Sequence, residues 1–149
     1  MLARGGKGIS TFGLDLVHGN VFHEVMTRSA AELVTEFCKL WSSPNPEELA
    51  GYFTDDAVYH NIPLESAKGK DAIRSVINTF LPMAKSLHFK VMHTASAGNV
   101  VFNERVDVFD LGNGKTISLP VAGVFEVTGS KISAWRDYFD MQMYTKQMS

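Results

Sequence analysis

The chain has 149 residues, 45% hydrophobic and 20% charged, which suits one globular domain with its own core and is too short for two ordinary ones. A formal net charge of −2 leaves no electrostatic footprint for nucleic acid or for an anionic membrane. The single cysteine, Cys38, excludes an intrachain disulfide framework and any multi-cysteine metal site, and it fits a reducing, cytoplasmic setting.

Residues 1–28 read as an arm. Gly5, Gly6, Gly8 and Gly13 interrupt them, no continuous apolar stretch follows Arg4 and Lys7, and a signal peptide is therefore not expected. Leu14, Leu16, Val17, Val21, Phe22, Val25 and Met26 could pack a short helix onto the body. No apolar run approaches the roughly 20 residues needed to cross a bilayer. The domain proper is placed at residues 29–149. Ser29, with Glu32 three residues on, has the capping-box spacing, and Leu33, Val34, Phe37, Leu40 and Trp41 follow at helical intervals. Cys38 beside that stripe reads as a small buried hydrophobe. Ser42–Pro46 breaks the helix, and a second short helix is expected over Pro46–Phe53.

Thr54-Asp55-Asp56 reads as a turn into a strand at Ala57–Asn61, with Tyr59 and Asn61 on one face and His60 on the other. A phenol and an amide two residues apart can hold a water, although such a pair is often plain decoration at a strand end. The five histidines show no compact ligand spacing, so no metal site is expected. A third helix is expected from Asp71 to about Lys85, with Pro82 kinking or ending it. Four strands follow, at about Leu87–Ala97, Val100–Leu111, Lys115–Val127 and Lys131–Phe139, separated by glycine-containing turns. Helices first and then a run of strands implies an α+β fold, with helices against one face of a curved sheet.

The stretch Asn103–Phe109 is a strand with charges inside it. Arg105 and Asp107 point the same way, and Phe102, Val106 and Val108 occupy the other face. In the next strand Ile117, Leu119, Val121, Phe125 and Val127 share one apolar face with Gly123, which marks that face as the buried one. With three-residue turns in both hairpins, Arg105 lies opposite Val121, Asp107 opposite Leu119, and Val121 opposite Asp137. Arg105 can then touch both aspartates across an apolar floor flanked by Trp135 and Phe139. A two-residue turn in one hairpin alone would turn Asp137 outward. Two carboxylates bridged by one arginine in an apolar pocket can differ in protonation, one serving as general acid and the other as general base. The alternative is a buried charge network that only specifies the fold.

The stretches Val58-Tyr59-His60-Asn61-Ile62-Pro63-Leu64, Glu104-Arg105-Val106-Asp107-Val108, Gly123-Val124-Phe125 and Trp135-Arg136-Asp137-Tyr138-Phe139-Asp140 together resemble the limonene epoxide hydrolase family, over roughly residues 30 to 140. The resemblance implies a cone-shaped α+β fold of the nuclear-transport-factor-2-like (SnoaL-like) type. In it a curved mixed sheet, with helices on its concave face, encloses a deep pocket, and the protein is a homodimer. Asp137, Tyr59 and Asn61 would then activate a water, Asp107 would protonate the epoxide oxygen, and Arg105 would bridge the aspartates, with no cofactor. The substrate would be a small hydrophobic epoxide, with pocket walls from Leu119, Val121, Phe139, Phe109, Trp41, Cys38 and Trp135. Trp41 and Cys38 stand where the limonene enzyme has a smaller aliphatic residue and a methionine, so limonene itself is not implied. A ketosteroid-isomerase-like or polyketide-cyclase-like enzyme and a non-catalytic binding module are the rival readings.

Overall fold

The computed structural model describes residues 27–149. Apart from its last two residues, the expected arm, with its short helix, lies outside the described residues. Helix α1 (Ala30–Leu40) starts as the capping box predicts: Glu32 N–H donates to Ser29 Oγ at 3.1 Å and Ser29 N–H donates to Glu32 Oε2 at 2.8 Å. It buries Leu33, Val34, Phe37 and Cys38, and Trp41 at its C-cap is buried with them. Helix α2 (Pro46–Gly51) is capped by Asn45 and is shorter than expected, because Phe53 already belongs to strand β1 (Phe53–Asn61). The turn expected at Thr54-Asp55-Asp56 is therefore strand. The two-residue strand β2 (Ala67–Lys68), which pairs with β1, was too short to leave a pattern in the sequence.

Helix α3 (Lys70–Phe80) stops short of Lys85 and passes into a tight 3₁₀ turn at Leu81–Met83. Pro82 is the cause, since it lacks the N–H that a continuing α-helix needs. Strands β3 (Ser86–Ala97), β4 (Val100–Asp110), β5 (Thr116–Thr128) and β6 (Lys131–Tyr138) fall within a residue of expectation. Helix α4 (Met141–Met148) was not anticipated. Asp140 Oδ1 caps it by accepting from the N–H groups of Gln142 and Met143.

The six strands form one sheet in the order β2-β1-β6-β5-β4-β3. β1 runs parallel to β6 and every other neighbour is antiparallel, so the sheet is mixed. The β4–β5 register is the expected one, with Arg105 opposite Val121 and Asp107 opposite Leu119. The β5–β6 register is not. Thr128 pairs with Lys131, so the turn has two residues, Gly129 and Ser130, rather than three. Such a turn alone would reverse the facing of Asp137. A bulge between the pairs Val127–Ile132 and Glu126–Ala134 adds Ser133 to β6 and restores it. Ser133 Oγ holds the bulge, accepting from Thr128 Oγ1 at 3.0 Å and donating to the Glu126 carbonyl at 3.2 Å. Asp137 consequently faces inward but lies opposite Gly123, not Val121.

Odd-numbered residues of β5 from Ile117 to Val127 are buried, and the facing of the whole sheet follows from them. α1 packs across this inner face. The Phe37 ring meets Trp135 edge-on at 5.1 Å between centroids and Phe53 at 5.5 Å, and Phe125 stacks on Trp135 at 5.4 Å. Trp135 of this aromatic cluster stacks in turn on Tyr59, which borders a cavity lined by residues of α3, α4 and the sheet. Among the described residues no helix is long and apolar enough to cross a membrane.

Candidate active site

Four polar or charged residues are buried among the described ones: Asn103, Arg105, Asp107 and Asp137. They form one cluster on the inner face of β4 and β6. An uncompensated buried charge is costly, so the cluster's internal bonding matters. Arg105 supplies that bonding. Its Nε donates to Asp107 Oδ1 at 2.7 Å and its Nη2 to Asp107 Oδ2 at 3.2 Å. The same Nη2 reaches across β5 to Asp137 Oδ2 at 2.6 Å, and Nη1 donates to Asn103 Oδ1 at 3.1 Å. The guanidinium lies over the Phe89 ring, 4.5 Å from its centroid. The anticipated aspartate–arginine–aspartate bridge is thus present.

Asp137 is also held from its own strand. The Trp135 Nε1–H donates to Asp137 Oδ1 at 2.6 Å, and the Trp135 ring stacks on Tyr59 at 4.2 Å. The parallel β1–β6 pairing sets Tyr59 beside Trp135 and Asn61 beside Asp137. The Tyr59 hydroxyl donates to Asn61 Oδ1 at 3.0 Å. With that proton committed, the Tyr59 oxygen is left as an acceptor and the Asn61 amide N–H groups as donors. All four polar side chains, Tyr59, Asn61, Asp107 and Asp137, line a cavity of about 190 Å³. It lies below the roughly 300–1,000 Å³ of common ligand sites, which suits a small ligand.

The walls are apolar. Trp41, Phe109, Leu119, Val121 and Phe139 line the cavity, as the sequence suggests. Cys38 and Trp135 do not. Cys38 lies behind the site, where Asn103 Nδ2 donates to its Sγ at 3.4 Å, and Trp135 lies beneath Tyr59, its N–H spent on Asp137. Lining residues missed in the sequence are Leu64, Phe80, Met83, Phe89, Met141 and Tyr144. Most come from loops, the 3₁₀ turn and α4, where no periodicity betrays facing. Asn103, which the sequence marks only as the first residue of the charged strand, has a buried amide that links Arg105 to Cys38.

Burial in the apolar floor raises the Asp107 carboxyl from its ordinary 3.8 to about 6, against the opposing pull of Arg105, and the Asp137 charge adds to the rise. A cluster with Asp107 protonated carries one cation against one anion, and losing that proton would bury a net negative charge. Burial also raises the Tyr59 phenol, with Asp137 adding to it, so the hydroxyl keeps its proton. Arg105 loses some preference for its charge to burial but regains more from Asp137 and Asp107, and its pKa ends above the ordinary value. Burial pushes the Cys38 thiol up to about 12, so it is no nucleophile. Among the described residues no three His, Cys, Asp or Glu side chains are grouped to hold a metal.

Comparisons with known proteins agree with this geometry. Residues 28–149 match the family described as the limonene-1,2-epoxide hydrolase catalytic domain. The chain is 30% identical over 87 residues to the epoxide hydrolase EphG of Mycobacterium tuberculosis, covering 58% of this chain and 57% of that protein. It thus matches little more than half the length of that curated relative. An LEH-like epoxide hydrolase structure from M. tuberculosis superposes with a TM-score of 0.67 at 26% identity, covering 79% of this chain and 87% of the other. A protein from Catenulispora acidiphila with a ketosteroid isomerase-like fold superposes with a TM-score of 0.70 at 22% identity over 78% of this chain and 91% of its own, a likeness of fold alone. The fold is the α+β, nuclear-transport-factor-2-like one, and with the family match over 28–149 the chain belongs to the limonene-1,2-epoxide hydrolase family.

Proposed function

We propose that the protein is a cofactor-free epoxide hydrolase that converts a small hydrophobic epoxide, terpene-like or derived from a cycloalkene, into a vicinal diol in one step. The observation that carries this reading is the Asp107–Arg105–Asp137 bridge at the floor of an apolar cavity, with Asp107 holding its proton to about pH 6. Each polar group has a role that its hydrogen bonds allow. A water accepts from the Asn61 amide and donates one hydrogen to the Tyr59 oxygen and the other to Asp137. Its remaining lone pair faces the epoxide carbon. Asp137 takes the water proton as the C–O bond forms, and Asp107 gives its proton to the epoxide oxygen as the ring C–O bond breaks. Arg105 holds the two carboxyls on opposite sides of the reacting atoms, and proton exchange with solvent resets the pair. A carbonyl-directed isomerase or cyclase also needs an acid and a base, but nothing in that chemistry calls for the bridging guanidinium. The protein works as a homodimer, because Phe102 and Tyr138 leave about half their surface exposed on the outer face of the sheet, beside Val106, Val108 and Val124. A cytoplasmic setting suits the lone buried thiol of Cys38.

A covalent route is the specific competitor. In it an aspartate would attack the epoxide carbon and water would later cleave the ester. Arg105 and Trp135 already occupy both oxygens of Asp137, an arrangement for a fixed base rather than a free nucleophile. A single turnover in ¹⁸O-labelled water with enzyme in excess is expected to put the label in the diol. Unlabelled diol, with the label in an aspartate side chain, would refute direct attack; absence of diol from a panel of small apolar epoxides would refute the epoxide reading itself.

A further inference from the structure

The inner face of β5 carries large apolar side chains at Ile117, Leu119, Val121, Phe125 and Val127, and Gly123 interrupts them. Nothing in the backbone asks for glycine there. Gly123 is not among the residues with positive φ, and a mid-strand glycine weakens a strand. What the position lacks is room. A Cβ at Gly123 would stand 2.5 Å from Arg105 Nη1, 2.7 Å from Asn103 Oδ1 and 3.0 Å from Phe125 Cε2. The Arg105 side chain is poorly placed to yield. It is fully buried, with its Nε, Nη1 and Nη2 bonded to Asp107, Asn103 and Asp137, and its plane lies over Phe89.

We infer that Gly123 is a positioning residue for the acid–base pair: its missing side chain is the slot through which the Arg105 guanidinium crosses β5 from Asp107 to Asp137. The register supports this from both sides, since Gly123 pairs with Asn103 on β4 and with Asp137 on β6. Arg105 starts from the next inward position of β4, opposite Val121. Its side chain must run diagonally over position 123 to reach Asp137, and any Cβ there occupies that path. Asn103 completes the slot. It fixes the guanidinium edge through Nη1 and is itself tied to Cys38.

The titratable groups facing the guanidinium are Asp107, Asp137, Cys38 and Tyr59. In Gly123→Ala the guanidinium must leave at least one carboxylate, and that carboxyl then titrates higher by roughly one pH unit or more. The test is a ¹³C NMR titration of the Asp107 and Asp137 carboxyls in wild type and Gly123→Ala, alongside epoxide kinetics. Misplacement of the acid–base pair by about 1 Å is expected to lower kcat by roughly 100-fold. KM should stay close to the wild-type value, because the apolar walls are untouched. Wild-type titration of both carboxyls in the variant would overturn the inference. The kinetic arm rests on the epoxide hydrolase reading and the titration arm does not, so a wild type that hydrates no epoxide defeats that reading alone. If Gly123→Ala is too unstable to titrate, denaturation of Gly123→Ala, Arg105→Lys and the double variant decides. Lysine places no Nη1 against the new methyl and frees the Asn103 amide to turn. The alanine is then expected to destabilise the arginine protein more than the lysine protein, and an equal loss in both would overturn the inference.

Discussion

Asp107→Asn separates the chemistry of the site from its stability. The folded protein holds the Asp107 proton up to about pH 6, whereas an ordinary aspartate loses it near 3.8. Folding therefore takes up a proton between these values. The associated stabilisation is fully present below about pH 3.8 and is lost as the pH rises through about 6. At roughly 1.4 kcal/mol per pH unit, the interval amounts to about 3 kcal/mol. Because Asp107 is 6% exposed, solvent screening takes little from this figure. Asparagine keeps the shape and an acceptor for the Arg105 Nε, but it cannot ionise. Between pH 4 and pH 8 the stability of the wild type relative to Asp107→Asn should therefore fall by about 2–3 kcal/mol. Urea denaturation of both proteins at pH 4, 6 and 8 measures this difference, and groups common to the two cancel. The variant should also lose about 10² to 10⁴ in diol formation, the usual weight of a general acid. In the wild type, kcat/KM should decline above about pH 6 as Asp107 loses its proton. A stability difference that does not change with pH would refute the claim that Asp107 is held protonated by burial.

Asp137→Asn should stay folded and lose diol formation by about 10² to 10⁴, read as initial rates beside a circular dichroism spectrum; a folded variant with wild-type turnover removes Asp137 from the mechanism. Exhaustive chelation should leave the rate unchanged, and a loss restored by zinc or magnesium would defeat the metal-free reading. Light scattering at micromolar concentration should give about twice 16.5 kDa, with the monomer mass counting against the homodimer.

The fold was legible wherever alternation was strict. β5 announces its buried face in its own residues, and β4 follows through a regular three-residue turn, so Arg105 and Asp107 were placed correctly. Tyr59, Asn61, Asp107 and Asp137 line one cavity, with Tyr59 and Asn61 joined by the β1–β6 pairing, and Arg105 is fully buried and bonded to both aspartates. The β5–β6 hairpin was harder. Its turn is one residue shorter than expected and a bulge at Ser133 adds one back, so two errors in the count cancelled in facing and left a shift in register. Serine in a strand carries no mark of a bulge. The shift moved Asp137 from Val121 to Gly123, and with it the reason for the glycine. α4 escaped because its one clear signal, Asp140 as N-cap, sits directly after a strand and before too few apolar residues for a stripe.

The placement of the two tryptophans gives the protein an optical readout of its own. The chain contains only Trp41 and Trp135, and both stand at the site, one in the cavity wall and one bonded to Asp137 and stacked on Tyr59. Their emission does not average over remote indoles. Trp41 borders the space a ligand would fill, so titrating an unreactive diol should change its fluorescence and give an affinity without turnover. Trp135 donates directly to the carboxylate assigned as the base, so its signal should change in Asp137→Asn. Trp41→Phe would leave Trp135 as the sole tryptophan, and the signals of the two indoles could then be told apart on unlabelled protein.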